Sequence, residues 1–191
     1  LAAAIGARVP VSDPSGNMVI DIGGGTTEVA VISLNGLVVW RSIRVGGNKL
    51  DEAIASYVKR KYNLRIGERT AEEVKIAIGS AMSVTEDIKM EVRGRDEIAG
   101  LPRTITVSAN EISEALTEPL QQIIEAVRSV LDRTPPELSS DVIDKGMILT
   151  GGGAMLRYLP ELLMDPLSCV AIGTGLALEH MDVLRDSLDE S

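Results

Sequence analysis

Near the start of the chain, apolar positions fall into three short runs broken by glycine turns. The first, M-V-I at 18–20, leads into Asp21 and then Gly23, Gly24 and Gly25. An alternating run follows at 29–34, then Asn35-Gly36, then a third run at 37–45. Period-two runs separated by Gly and Asn-Gly predict three antiparallel strands in a meander. From residue 49 the period changes. Leu50, Ile54, Tyr57, Val58 and Tyr62 recur at helical spacing, with Asn48 as the expected N-cap and Asp51 at the third position. Thr70 and Glu73 form a capping-box pattern for a second helix, running to about Ile78 and stopped by Gly79-Ser80.

Short amphipathic strands are expected at 88–92 and 104–107. Ser108, with Glu111 three residues on, caps a long helix over 109–132. Its apolar stripe is Ile112, Leu116, Leu120, Ile123, Ile124, Val127 and Leu131, with Pro119 inside the pattern. Residues 142–145 are short and polar. A buried strand at 146–149 runs into Thr150-Gly151-Gly152-Gly153-Ala154, and helices are expected at 155–164, interrupted near Pro160 in its first turns, and at 167–180. Residues 1–7, L-A-A-A-I-G-A, read as the end of a helix stopped by Gly6, so the chain is expected to be a fragment.

The 191 residues carry a formal charge of −9, which argues against a nucleic-acid partner. The aromatic fraction is 2% with no Phe, so base stacking on aromatic platforms is not available and the core is aliphatic. The one cysteine, Cys169, cannot form an internal disulfide and fits a reducing compartment. His180, the one histidine, falls in the last expected helix and is a poor general base there.

The chemistry concentrates at the glycines. A hairpin turn of Gly23, Gly24 and Gly25 lets several N–H groups converge, and such a concavity suits an anion, commonly phosphate. It is not a dinucleotide fingerprint, because the turn runs into a strand, and no Gly-Lys-Ser/Thr follows as in a Walker A loop. Asp21, just before the turn, stands where a hydrated Mg²⁺ would sit; the plain alternative is an ordinary glycine hairpin. The second cluster, 151–153, has the order strand, glycine turn, helix, which is also favourable to anions. Two such clusters in one chain read as two walls of a cleft closing on a nucleotide.

Seven segments resemble the MreB family, the bacterial branch of the actin-like ATPase superfamily. They are D-I-G-G-G-T-T-E-V-A-V at 21–31, V-G-G-N-K-L-D-E-A-I at 45–54, I-G-E-R-T-A-E-E-V-K at 66–75, V-R-G-R-D at 92–96, P-P-E-L at 135–138, L-T-G-G-G-A-M-L-R at 149–157 and D-P-L-S-C-V-A at 165–171. The first and sixth are superfamily motifs and the others are similar to this family in particular. The resemblance implies an α/β fold, actin-like and ribonuclease H-like, with an inserted smaller α+β subdomain. The core subdomain would take residues 1–69 and 108–191, and the insert 70–107. Only the second half of such a chain is covered. The family has a further strand between positions matching Met164 and Asp165, and the stretch at 81–84 is short in the same way.

The resemblance also implies roles. Asp21 would hold Mg²⁺ through water, and Gly23, Gly24 and Gly25 would donate to the β- and γ-phosphates of ATP. Thr26 would orient the attacking water, as the catalytic residue, and Thr27 would add a hydroxyl near the phosphates. Both threonines also suit a hairpin by β-propensity alone. Glu72 would accept from the ribose and Lys75 would border the base, although a solvated helix pair is the ordinary fate of such charges. Glu73 is grouped with the nucleotide contacts and doubles as the capping-box acid. Gly151, Gly152, Gly153, Ala154 and Met155 would line the other side of the nucleoside.

The implied function is ATP-dependent polymerisation that organises cell-wall elongation and maintains rod shape. The implied partners are like subunits, cell-wall elongation and membrane-anchor proteins, and the membrane, touched through the missing half. The implied place is the cytoplasm, at the inner face of the cell membrane. In this family a glutamate just before the L-A-A-A-I-G segment also orients the water, so this chain alone is expected to be inactive. The competing readings are a non-catalytic, nucleotide-stabilised filament scaffold and an actin-fold chaperone ATPase.

Overall fold

The computed structural model describes residues 2–164. The expected helix at 167–180, Cys169 and His180 lie outside them. A short helix α1 (Ala2–Gly6) leads to strands β1 (Asn17–Ile22), β2 (Thr27–Ser33) and β3 (Gly36–Ile43). Helix α2 (Gly47–Tyr62), strand β4 (Leu64–Arg65) and helix α3 (Glu68–Ile78) follow. Then come β5 (Lys89–Asp96), β6 (Pro102–Ser108), α4 (Ala109–Leu131), α5 (Pro136–Lys145) and β7 (Met147–Thr150). A 3-10 turn (Gly152–Met155) and α6 (Leu159–Met164) complete the described chain.

The strands form two sheets, ordered β3-β2-β1-β7 and β4-β5-β6. β1 is almost wholly buried, because one face meets the main core and the other a smaller cluster of Ala4, Val9, Val19 and Ile32. That explains its continuous apolar reading, which is the pattern of a strand covered on both faces. β3 is the edge strand and mostly exposed, with Trp40 at 60% exposure. One aliphatic cluster runs from β1 and β2 through α2, α3 and α4 to Val92 and Val107 of the second sheet.

The meander and the long helix match the sequence pattern. Ser108 accepts from the Glu111 amide while the Glu111 carboxylate accepts from the Ser108 amide, so the capping box forms as expected. Pro119 sits buried within a continuous helix.

Elsewhere the boundaries move. α2 is capped by Gly46 and not by Asn48, since the Gly46 carbonyl already accepts from Leu50 at 3.2 Å. α3 starts at Glu68 with Gly67 as its cap; Thr70 lies inside the first turn, so the Thr70–Glu73 box does not form. The reason is that the Gly67 carbonyl already takes the Ala71 amide at 3.0 Å. Residues 136–145, read in part as a polar strip, form α5 with proline in its first turn, a favoured site. The helix expected at 155–164 splits at Tyr158, whose φ of 59° no helix accommodates.

The β5–β6 hairpin is closed by Asp96. Its Oδ1 accepts from the amides of Ile98 and Ala99, each at 2.8 Å, and its Oδ2 lies 2.8 Å from the Arg103 guanidinium. These amides, and then Arg103, hold the carboxyl below its ordinary range. A depressed carboxyl contributes stability that is present above the unfolded value of about 3.9 and lost as pH falls through the folded value. Asp96→Ala is therefore expected to unfold at lower urea than the wild type at pH 7, with the gap narrowing below about pH 3.9. A gap that stays constant with pH would show that the carboxylate charge is not what matters.

Candidate functional site

The site is built by a change of direction in the first sheet. β1 pairs antiparallel with β2 on one side and parallel with β7 on the other. Asp21 is thereby opposite Glu28 on β2 and Thr150 on β7. The parallel register makes β1 and β7 end together, so the Gly23–Gly25 and Gly151–Gly153 turns leave the same edge side by side. Ligands of open α/β sheets bind at such carboxyl ends, where the order switches.

Close approach dictates the glycines. Gly151 has φ of 83°, and a Cβ there would overlap the Ile22 carbonyl and stand 2.7 Å from Asp21 Oδ1. A Cβ at Gly153 would overlap the Ile22 side chain. The second turn thus packs directly against the end of β1, next to the start of the first turn.

The hairpin turn faces two ways. Its carbonyls point back: Gly47 N donates to Gly23 O at 2.9 Å and Asn48 N to Gly24 O at 2.8 Å. The first turn of α2 therefore satisfies its own unpaired amides on the hairpin. Gly23 N donates to Thr26 O at 2.9 Å and closes the turn. Gly24, Gly25 and Thr26 are exposed, and among the described residues their N–H groups have no acceptor. Unpaired amides on an exposed glycine turn are the donors an anion needs.

The remaining expected residues divide. Asp21 is half-buried at the end of β1, and Thr26 is exposed beside the open amides. Thr27 needs correction: it is fully buried and its hydroxyl donates to the Val45 carbonyl at 2.7 Å. It holds the hairpin to the connection between β3 and α2, and its hydroxyl proton is not offered at the turn. Glu72 is exposed on α3, and Glu73 is exposed and lies 3.1 Å from Arg69 Nε. Lys75 is not a solvated charge: its Nζ is 2.9 Å and 3.0 Å from the two carboxylate oxygens of Asp51 and 3.3 Å from the Gly47 carbonyl. Gly152 and Met155 are exposed, Gly153 and Ala154 half-buried.

Four further residues belong here. Asp51, read as a first-turn acid, is the buried partner of Lys75. Burial pushes its carboxyl up against the opposing pull of Lys75, with Glu72 and Glu68 adding to the rise. Gly46 has no room for a side chain, since a Cβ would overlap the Gly23 carbonyl and stand 2.9 Å from the Thr26 amide. Arg157 Nε donates to the Gly79 carbonyl at 2.9 Å, while Ala81 N donates to the Arg157 carbonyl at 2.8 Å. That pair of bonds fastens the second glycine turn to the end of α3. Thr150 Oγ1 is buried without a partner beside Asp21. In the sequence, Gly46 and Asp51 fall in the quoted 45–54 segment and Thr150 and Arg157 in the 149–157 segment, with no role attached to them there beyond Asp51 as a first-turn acid.

A mixed sheet ending in two apposed glycine turns, with a second, antiparallel sheet beside α3, matches the actin-like fold. A solved structure of MreB 5 of Spiroplasma citri bound to AMPPNP superposes with a TM-score of 0.84 at 35% identity, over 98% of this chain and 58% of that one. The MamK double helical filament has a TM-score of 0.65 at 24% identity over 79% of this chain and 46% of that one, a likeness of fold. The family described as MreB/Mbl protein matches residues 1–186. "Cell shape-determining protein MreB" of Escherichia coli (strain K12) is 55% identical over 96% of this chain and 56% of its own length. "Cell shape-determining protein Mbl" of Bacillus subtilis (strain 168) is 50% identical over 95% and 58%. The chain belongs to the MreB/Mbl family and spans little more than half the length of these curated relatives.

Two glycines of the site differ in the room around them. Gly46→Ala is expected to lower unfolding stability by about 1–3 kcal/mol, since the new methyl must displace the hairpin turn. Gly25→Ala, which has nothing within 4 Å of its Cβ position, should change it by no more than about 0.5 kcal/mol. Urea titration of both variants checks this, and equal losses would refute the close packing at Gly46.

Proposed function

We propose that this chain is the second-half, nucleotide-binding domain of a filament-forming, actin-like ATPase that maintains rod cell shape by organising cell-wall elongation. In this reading residues 1–69 and 108–191 form the core subdomain and 70–107 the insert. The observation that carries it is the parallel β1–β7 register, which sets two glycine turns side by side, the first with amides that have no acceptor among the described residues. The printed descriptions of relatives support it: cell-shape-determining proteins, AMPPNP- and ADP-bound MreB structures, and a MamK filament.

The Gly24, Gly25 and Thr26 amides would bind the phosphates of ATP, while Gly23 shapes the turn. Gly151, Gly152, Gly153, Ala154 and Met155 would back the nucleoside, with Glu72 and Lys75 approaching from α3. Glu73, turned to Arg69, would not contribute. Asp21 and the unpartnered Thr150 hydroxyl would face a hydrated Mg²⁺. The described residues hold no group of three or more acidic, histidine or cysteine side chains that could cage a metal. That fits Mg²⁺, which keeps its waters and binds through one or two carboxylates plus phosphate oxygens. When bound, Mg²⁺ neutralises charge on the phosphates and lowers the barrier to phosphoryl transfer. Thr26 would orient the water for in-line attack, and the rest of catalysis is positioning.

In this reading hydrolysis would also draw on groups outside this chain, so the chain by itself should turn over ATP far more slowly than the full-length protein. Filament subunits, elongation proteins and membrane-anchor proteins are the partners this reading implies, at the cytoplasmic face of the membrane. No helix among the described residues is long and apolar enough to cross a membrane. Calorimetry of Mg²⁺-ATP binding to the full-length protein tests the site. Asp21→Ala is expected to weaken binding about tenfold or more, at least about 1.4 kcal/mol. Equal affinity in wild type and variant would remove the metal and phosphate role from the hairpin.

A further inference from the structure

Behind the hairpin turn, Gly47 is engaged on both sides. Its N–H donates to the Gly23 carbonyl at 2.9 Å, and its own carbonyl accepts from Lys75 Nζ at 3.3 Å. Asp51 lies one helical turn further along α2, on the same face, and holds that ammonium at 2.9 Å and 3.0 Å. A Cβ at Gly47 would stand 3.4 Å from Nζ, in ordinary contact, so the ammonium lies directly against this residue. Three links therefore run from the phosphate-side turn to α3: Gly23 to Gly47, Gly47 to Lys75, and Lys75 to Asp51.

The pair is poorly placed for stability alone. The Asp51 and Lys75 side chains are only 11% and 16% exposed, and burying two charges costs about as much as their attraction returns. Glu72 and Glu68 of α3 add negative potential at Asp51, which makes that carboxylate costlier to keep charged. A buried pair of this kind is most useful where it fixes one geometry against alternatives. Here the geometry fixed is that of α3, which carries Glu72, relative to the glycine hairpin.

We propose that Asp51 is a positioning residue for nucleotide binding: by seating Lys75 against the first turn of α2, it sets α3 at the distance at which one ligand spans the hairpin and α3. The proposal rests on the nucleotide reading above and assigns to Asp51 the linkage between the phosphate and nucleoside ends of the ligand. A ligand that fills only the hairpin does not use this linkage. A ligand that reaches α3 does.

That difference sets the experiment. On the full-length protein, binding of ADP and of inorganic pyrophosphate, each with Mg²⁺, is measured by calorimetry for wild type, Asp51→Asn, Lys75→Met and the double variant. Asp51→Asn is expected to weaken ADP about tenfold or more and pyrophosphate by less than about threefold. Because Asp51 acts through Lys75, adding Asp51→Asn to Lys75→Met should bring no further loss of ADP affinity. The double variant leaves no unpaired buried charge, so this comparison survives even if Asp51→Asn alone fails to fold. Equal weakening of both ligands in Asp51→Asn would show a role in folding only and overturn the proposal. Unchanged ADP affinity, or additive losses in the double variant, would overturn it too. Wild-type protein that binds neither ligand overturns the nucleotide reading itself, and the proposal with it.

Discussion

Everything at the candidate site depends on four residue pairs, Met18–Met147 to Asp21–Thr150, in which β7 joins β1 parallel. Parallel pairing needs a crossover, and here it takes the whole stretch from β2 to α5. The consequence is local. Two strands about 130 residues apart in sequence end at the same height, so each delivers its glycine turn to the same place. Had β7 joined antiparallel, Gly151–Gly153 would lie at the opposite edge and Asp21 would face no second wall.

The second constraint is the seating of α2 on the hairpin. Gly47 and Asn48 donate to the Gly23 and Gly24 carbonyls, so a helix N-terminus and a tight turn each satisfy the other's unpaired groups. With its carbonyls engaged behind, the turn keeps the amides of Gly24, Gly25 and Thr26 without an acceptor among the described residues. Gly46 permits the contact, Thr27 anchors it through Val45, and Asp51 and Lys75 extend it to α3. The polarity of the turn is therefore set from behind, by groups that no ligand need touch.

The sequence made some of this legible and hid the rest for physical reasons. The meander and the Ser108–Glu111 capping box follow from local rules, period-two alternation and side-chain capping, and both appear. The glycine clusters marked the site because few other sequences let backbone approach backbone so closely. Local rules failed where a longer-range bond decided the outcome. Asn48 is a better N-cap than glycine by propensity and Thr70 about an equal one, yet Gly46 and Gly67 take those positions; at Gly46 the hairpin carbonyls determine where α2 begins. Thr27 looked like a ligand hydroxyl beside Thr26, but β-strand alternation turns it inward, onto Val45. Asp51 and Lys75 are 24 positions apart, and no local pattern announces such an ion pair.

The most direct test of the central claim follows backbone amides in solution while Mg²⁺-ADP is titrated into isotope-labelled full-length protein. If the two turns form one site, the amides of Gly24, Gly25 and Thr26 and those of Gly152 and Gly153 shift together along one binding curve. If only one cluster shifts, or the two follow different affinities, the turns do not share a ligand and the parallel β1–β7 register has no functional meaning.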